Sequence, residues 1–241
     1  MTEPIATDRP RRTLRRLLPL VVLAAAFAAF FAFGLHRHLT LSELAERRAE
    51  LSAFVAERGT LAALAYIGTY ALAIAVSIPG GLVLTLTGGF LFGVVWGTVY
   101  AVIGATLGAI AVFLAARSAF GGVLREKAGP WVGRMEAGFR ANAFSYMLFL
   151  RLLPLLPFWL VNLVPAVLGV PLRAYASATL IGIVPLTLVY ASVGNGLGAV
   201  LDAGGTPDLG VIFRPAVLLP LLGLALLALL PVAIKAWRGR R

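Results

Sequence analysis

Phe149-Leu150-Arg151-Leu152-Leu153-Pro154-Leu155-Leu156-Pro157 sets one arginine and two prolines in an otherwise apolar stretch. The limbs on either side, Phe144–Leu153 and Phe158–Gly169, are each too short to cross a bilayer straight, because a span needs about 20 residues. The second limb also holds Asn162 and Pro165. Proline breaks a helix, and freed backbone at membrane depth is tolerated only where protein buries it or a wet cavity faces it. A re-entrant hairpin over residues 144–168, turning near Pro154 to Pro157, is therefore expected.

Composition places that hairpin in a membrane. Of 241 residues, 60% are hydrophobic and 13% charged, whereas a soluble domain carries about 25% charged residues. The charges are also segregated. None falls between Thr60 and Ala116, and between Ala141 and Leu201 there are two, Arg151 and Arg173. The net charge of +11 therefore collects at the termini and in the loop 117–140, which suits anionic headgroups. A basic chain could also bind nucleic acid, but no soluble basic domain is present to do so.

Several chemistries are excluded. With no cysteine there is no disulfide, thiolate site or cysteine nucleophile. His36 and His38 are too few to hold a metal. No histidine lies beyond residue 38 to activate Ser77, Ser145, Ser177 or Ser192. No P-loop is present. An enzyme is not expected, nor is any cofactor.

Outward from the hairpin, the chain divides as follows. Residues 1–16 are a basic segment with five arginines, and 17–35 a first transmembrane helix, longer than a signal-peptide core. Thr40-Leu-Ser-Glu43 reads as a capping box opening an amphipathic surface helix over 40–59, with Gly59 placed to end it. Its acidic and basic residues nearly cancel. A core membrane domain follows over 60–200, with spans near 61–78, 94–116 and 173–193. Pro79, Gly80, Gly81, Gly88, Gly89 and Gly93 are dense enough to predict a second re-entrant segment near 79–93. Gly104-x-x-x-Gly108 permits close helix contact. A last transmembrane helix over 209–233 and a basic tail over 234–241 complete the chain.

The expected fold is thus an all-α polytopic membrane protein with about five to six transmembrane helices and two facing re-entrant helical hairpins. Paired interrupted segments of this kind mark transporters with a midplane site. Five spans would separate the termini, while the basic residues at both ends favour one side, so the crossing in doubt lies before residue 117.

The run Arg151-x-x-Pro154-x-x-Pro157, with Asn162, Gly169, Pro171-Leu-Arg173 and Tyr175 after it, resembles the SNARE-associated Golgi protein family (VTT domain) of the DedA superfamily. Ile78-Pro79-Gly80-Gly81 through Gly88-Gly89-Phe90-Leu91-Phe92-Gly93 is similar to that family's opening motif. The resemblance covers roughly residues 40–200. It implies two facing re-entrant hairpins and lipid movement: scrambling in eukaryotic relatives, carrier-lipid translocation in some bacterial ones. Some members of the superfamily are thought to couple to protons through membrane carboxylates; this chain departs from them, with no Asp or Glu between Thr60 and Arg125 or between Ala137 and Leu201.

The functional expectation is a membrane transport protein that moves a lipid or lipid-linked phosphate without ATP. An ion-coupled solute transporter and a non-transporting scaffold are the alternatives. The substrate-binding set is Arg151, Pro154, Pro157, Asn162, Pro79, Gly80, Gly81, Gly88 and Gly89. Arg151 should pair with backbone carbonyls freed by Pro154 and Pro157, assisted by Asn162. The expected partner is a membrane phospholipid or isoprenoid phosphate, a homo-oligomer is compatible with the sequence, and the expected location is a bacterial inner membrane.

Overall fold

The computed structural model describes residues 9–34, 40–78, 80–120, 142–153, 156–202 and 209–238. Pro79, Pro154, the two histidines, most of the basic loop and the ends of both basic termini lie outside these. Among the described residues all regular structure is helical. The elements are α1 (Arg9–Ala32), α2 (Leu41–Glu46), α3 (Arg48–Ala75), α4 (Gly81–Phe120), α5 (Ala143–Leu152), α6 (Phe158–Val167), α7 (Leu172–Gly182), α8 (Val184–Asn195), α9 (Leu197–Asp202) and α10 (Pro215–Arg238). A 3-10 turn, Leu209–Phe213, precedes α10.

Four stretches are long and apolar enough to cross a membrane: Arg48–Ala75, Gly81–Ala119, Leu172–Asn195 and Pro215–Lys235. Leu17–Ala32 and Ala143–Leu152 are shorter apolar helices. The chain is an all-α polytopic membrane protein, as its composition requires.

The Thr40 side chain caps α2 by accepting from the Glu43 N–H at 3.2 Å, and the Glu43 carboxylate takes Arg47 Nε at 2.6 Å. The helix expected to end at Gly59 does not end there. α3 runs on to Ala75 with a local break at Arg58, whose φ is −122° and ψ 20°. Gly59 keeps helical geometry and has open space around it, so nothing forces a stop. One helix thus joins the charged and the uncharged segments.

α4 is two helices joined at Gly93, where φ is +74°. A side chain added at Gly97 would collide with the Gly88 carbonyl. In a straight helix those residues would lie about 13 Å apart at 1.5 Å per residue, so the chain doubles back at Gly93. The limb Gly81–Phe92 is then about 18 Å long and cannot span. It runs antiparallel to α3, because Gly81 lies against Ile74 and Gly88 against Tyr66. The limb 94–120 runs parallel to α3, with Gly104 against Ile67 and Tyr70 and Gly108 against Ala71 and Ile74.

This corrects the segment expected over 79–93. Those residues do not form a hairpin by themselves; the reversals are at 76–80 and at Gly93, and α3 supplies the other limb. Gly88 and Gly89 sit inside a helix. Their lack of a side chain lets Tyr66 and the Ala191 backbone approach. Close contact, as at Gly104 and Gly108, needs a missing side chain and not an unusual φ.

The second half repeats that order. α5 ends at Leu152, and after a bend come the ten-residue α6 from Phe158, a turn at Gly169 with φ +70°, and the long α7–α8 pair. Each half therefore reads helix, bend, short helix, left-handed glycine, long helix. Within the second half α7 packs on α5, and the halves interlock through α6 on α4 and α8 on the limb Gly81–Phe92. α10 leans on α5 through Ala225 against Leu152 and Leu153.

Candidate functional site

Arg151 is on the last turn of α5 and is only 5% exposed. Its Nε donates to Thr179 Oγ1 at 3.1 Å, and its Nη2 donates to Asn162 Oδ1 at 2.7 Å and to the Tyr175 hydroxyl at 3.0 Å. The guanidinium also lies 4.6 Å from the Phe158 ring centre and 5.3 Å from that of Tyr175. Tyr175 stacks on Phe113 at 4.4 Å. Its single hydroxyl proton is shared between Asn162 Oδ1 at 2.9 Å and the Ala109 carbonyl at 3.1 Å.

These contacts account for the charge. A central arginine costs about 2.5–3.5 kcal/mol in a membrane. Hydrogen bonds from a charged donor contribute about 1.5–3 kcal/mol each, and a desolvated cation–π contact about 2 kcal/mol. Together they outweigh the cost, although no carboxylate takes part.

The partners differ from those expected. Asn162 is among them, but Thr179 and Tyr175 occupy the places assigned to carbonyls freed by the prolines. The bend carries Asn162, on the second turn of α6, onto α5. Gly182 lets α7 lie directly on the Arg151 stem, since an added Cβ there would come 2.6 Å from Arg151 Cβ. Tyr175 and Thr179 then face the guanidinium from one side of α7. Their spacing of four residues in an apolar span was a signal available in the sequence.

Two donors remain over. Arg151 Nη1 and Asn162 Nδ2 are buried and have no hydrogen-bond partner among the described residues. The amide orientation is fixed by its surroundings, because Oδ1 faces two donors and a flipped amide would face them with a third.

Beside this cluster lies a cavity of about 510 Å³. It is walled by both bends: Ser77, Gly80 and Gly81 from the first, Arg151, Leu156 and Phe158 from the second. Asn162, Thr85, Thr187, Tyr70 and Tyr190 add polar groups, and the rest of the wall is aliphatic. Ser77 is held at φ +60°, which strains a residue other than glycine. Tyr70 and Thr85 fix the first bend through the Gly81 carbonyl, at 3.2 and 2.7 Å.

Of the residues expected to bind substrate, Arg151, Asn162, Gly80 and Gly81 meet at the cavity. Gly88 and Gly89 do not, since both are consumed by helix packing. Pro157 caps α6 without reaching the wall, while its neighbours Leu156 and Phe158 do. Pro79 and Pro154 fall outside the described residues. Among the described residues no group of histidines and carboxylates could hold a metal.

Two interrupted helical halves closing on a buried arginine define a multi-pass membrane protein with an internal polar site. The VTT domain model matches residues 78–196, from the first bend through α8. The chain belongs to this VTT-domain family, to which the SNARE-associated Golgi proteins are assigned. Similar proteins include Transmembrane protein 41B of Mus musculus and of Homo sapiens, each 30% identical over 176 residues, covering 71% of this chain and 58% of the relative. The Transmembrane protein 41 homolog of Drosophila melanogaster is 30% identical over 161 residues, covering 65% and 48%. The chain therefore spans less than two thirds of the length of these relatives. No solved structure matches it.

Proposed function

We propose that this protein lets a lipid or lipid-linked phosphate cross the bilayer without ATP, and does not catalyse a covalent reaction. One observation carries the reading. An arginine with no carboxylate partner among the described residues lies at a cavity between two helix bends, and its own Nη1 and the neighbouring Asn162 Nδ2 have no hydrogen-bond partner there. The cavity wall mixes polar groups from several helices with aliphatic ones, which suits a molecule that has both a headgroup and apolar chains. A planar guanidinium can grip phosphate through paired N–H groups. On this reading both bends lie at membrane depth, and each hairpin enters and leaves on one face.

Proton coupling is disfavoured because the core segments hold no carboxylate to relay a proton. The proposed location is the inner membrane of a bacterium, though the relatives named above are animal proteins. Reconstitution tests the function. Purified protein in ATP-free liposomes should speed the inward movement of acyl-labelled phospholipid, read as the fraction protected from an external quencher. A rate equal to that of protein-free liposomes, with every headgroup tried, would reject it.

A further inference from the structure

We infer that Asn162 sets the charge preference of the site, and that it does more than anchor Arg151. The inference rests on the lipid-movement reading and deepens it. Asn162 is 1% exposed, and its amide divides its work. Oδ1 is saturated by Arg151 Nη2 and the Tyr175 hydroxyl, while Nδ2 has no partner among the described residues.

Two consequences follow from this amide. Oδ1 already holds Nη2, so the unpartnered Nη1 and Nδ2 belong to two side chains in direct contact, and together they suit an oxyanion. Asn162 is also neutral. An aspartate here would accept the same Nη2 and Tyr175 hydrogen bonds with equal reach, and would form a buried ion pair with Arg151. For packing alone, that is an acceptable exchange. For binding, it removes Nδ2 and cancels the charge of Arg151. The amide thus leaves the cationic charge uncompensated for a ligand.

The ligand class follows from the same geometry. Both unused groups are donors, and among the described residues no carboxylate lies at the cavity wall to receive an ammonium group. The site takes a phosphate oxyanion and favours headgroups with net negative charge over zwitterionic ones. Nη1 and Nδ2 are both buried, so binding requires the wall over them to open.

The test compares wild type with Asn162→Asp in liposomes carrying acyl-labelled phosphatidic acid or acyl-labelled phosphatidylcholine. Loss of one charge-assisted contact predicts a drop of about tenfold or more for phosphatidic acid. The ratio of phosphatidic acid to phosphatidylcholine movement should fall with it, while the variant melts no lower than wild type. In detergent, inorganic phosphate should raise the melting temperature of wild type and not of the variant if the free ion also binds. Phosphate protection without a change in the lipid ratio would assign the site to free phosphate and overturn the lipid inference. An unchanged rate and ratio in a well-folded variant would mean that the amide is structural only. If wild type itself moves no lipid, the functional reading fails first, and the two failures are distinguishable. Should Asn162→Asp not insert, Asn162→Ser removes Nδ2 and keeps neutrality. It should slow phosphatidic acid severalfold, and an unchanged rate would again overturn the inference.

Discussion

At the scale of single residues, the guanidinium of Arg151 is held by neutral groups on two other helices, α6 and α7. Arg151→Gln would leave Thr179, Tyr175 and Asn162 short of donors, each worth about 1–3 kcal/mol when buried. It should melt lower than wild type, and on the proposed function it should lose most lipid movement. Arg151→Lys keeps the charge but cannot reproduce the fork, so an intermediate rate is expected. Full transport by a folded Arg151→Gln protein would remove the phosphate role. Tyr175→Phe keeps the stack on Phe113 and deletes one hydroxyl; a loss of about 1–2 kcal/mol should appear in thermal unfolding. The sequence exposed Arg151 and Asn162 because charged and amide groups are conspicuous in apolar runs. Tyr175 and Thr179 were visible as an i, i+4 pair, but their partner was not, since both are ordinary in a helix until α7 is laid on α5.

Elements follow a different logic, in which glycine does two separate jobs. Gly93 turns the chain at φ +74° with room around it, and Gly89 lies in a helix against the Ala191 backbone. Gly93→Ala should therefore cost about 1–3 kcal/mol, because φ +74° with ψ 177° lies in a region that residues with a Cβ hardly enter. Gly89→Ala should be far worse, because neither backbone can withdraw. Gly68, on α3 with open space beside it, should accept alanine without loss. The measurement is the yield and melting temperature of each variant in detergent. Equal damage at Gly68 and Gly89 would refute the packing argument. Glycine density announced the first interrupted segment, as the prolines did the second, but not which glycines bend and which merely permit contact. That depends on the partner helix, and for Gly89 the partner is about a hundred residues away.

For the molecule as a whole, the levels of contact along α3 fix where the chain should meet the two membrane faces. Tyr66, Phe92 and Tyr100 lie together, with ring centres 5.4 and 5.2 Å apart along the series, and Trp96 stacks on Tyr100 at 5.7 Å. Aromatic groups of this kind favour the interface. Cysteines placed at Thr60 and Trp96 should then label from one compartment, and one at Arg117 from the other. The absence of native cysteine makes the experiment direct. Labelling of Thr60 and Trp96 from opposite sides would reject the re-entrant reading of the first hairpin. Lipid movement should also be flat between about pH 5.5 and 8, since no histidine lies beyond residue 38 and no carboxylate between Thr60 and Arg125 or between Ala137 and Leu201. A steep dependence would bring back proton coupling. The all-helical, multi-pass architecture was legible from composition alone, because charge segregation leaves few alternatives. The start of the last helix at Pro215, and not near residue 209, was not legible.

The seam between Gly81–Phe92 and α8 also has a history in time. Leu86 and Gly89 meet Gly194 and Ala191, which the ribosome adds about a hundred residues later. At about 5–20 residues per second, the short limb waits roughly 5–20 s for its partner. During that interval α3 is its neighbour, and two tyrosines bind them: Tyr66 donates to the Leu84 carbonyl at 2.8 Å, and Tyr70 to that of Gly81 at 3.2 Å. On this timing these hydroxyls should act as clips during biogenesis. Once α8 has arrived the limb has a second wall, so removing the clips should lower the number of molecules completed more than the stability of those that are.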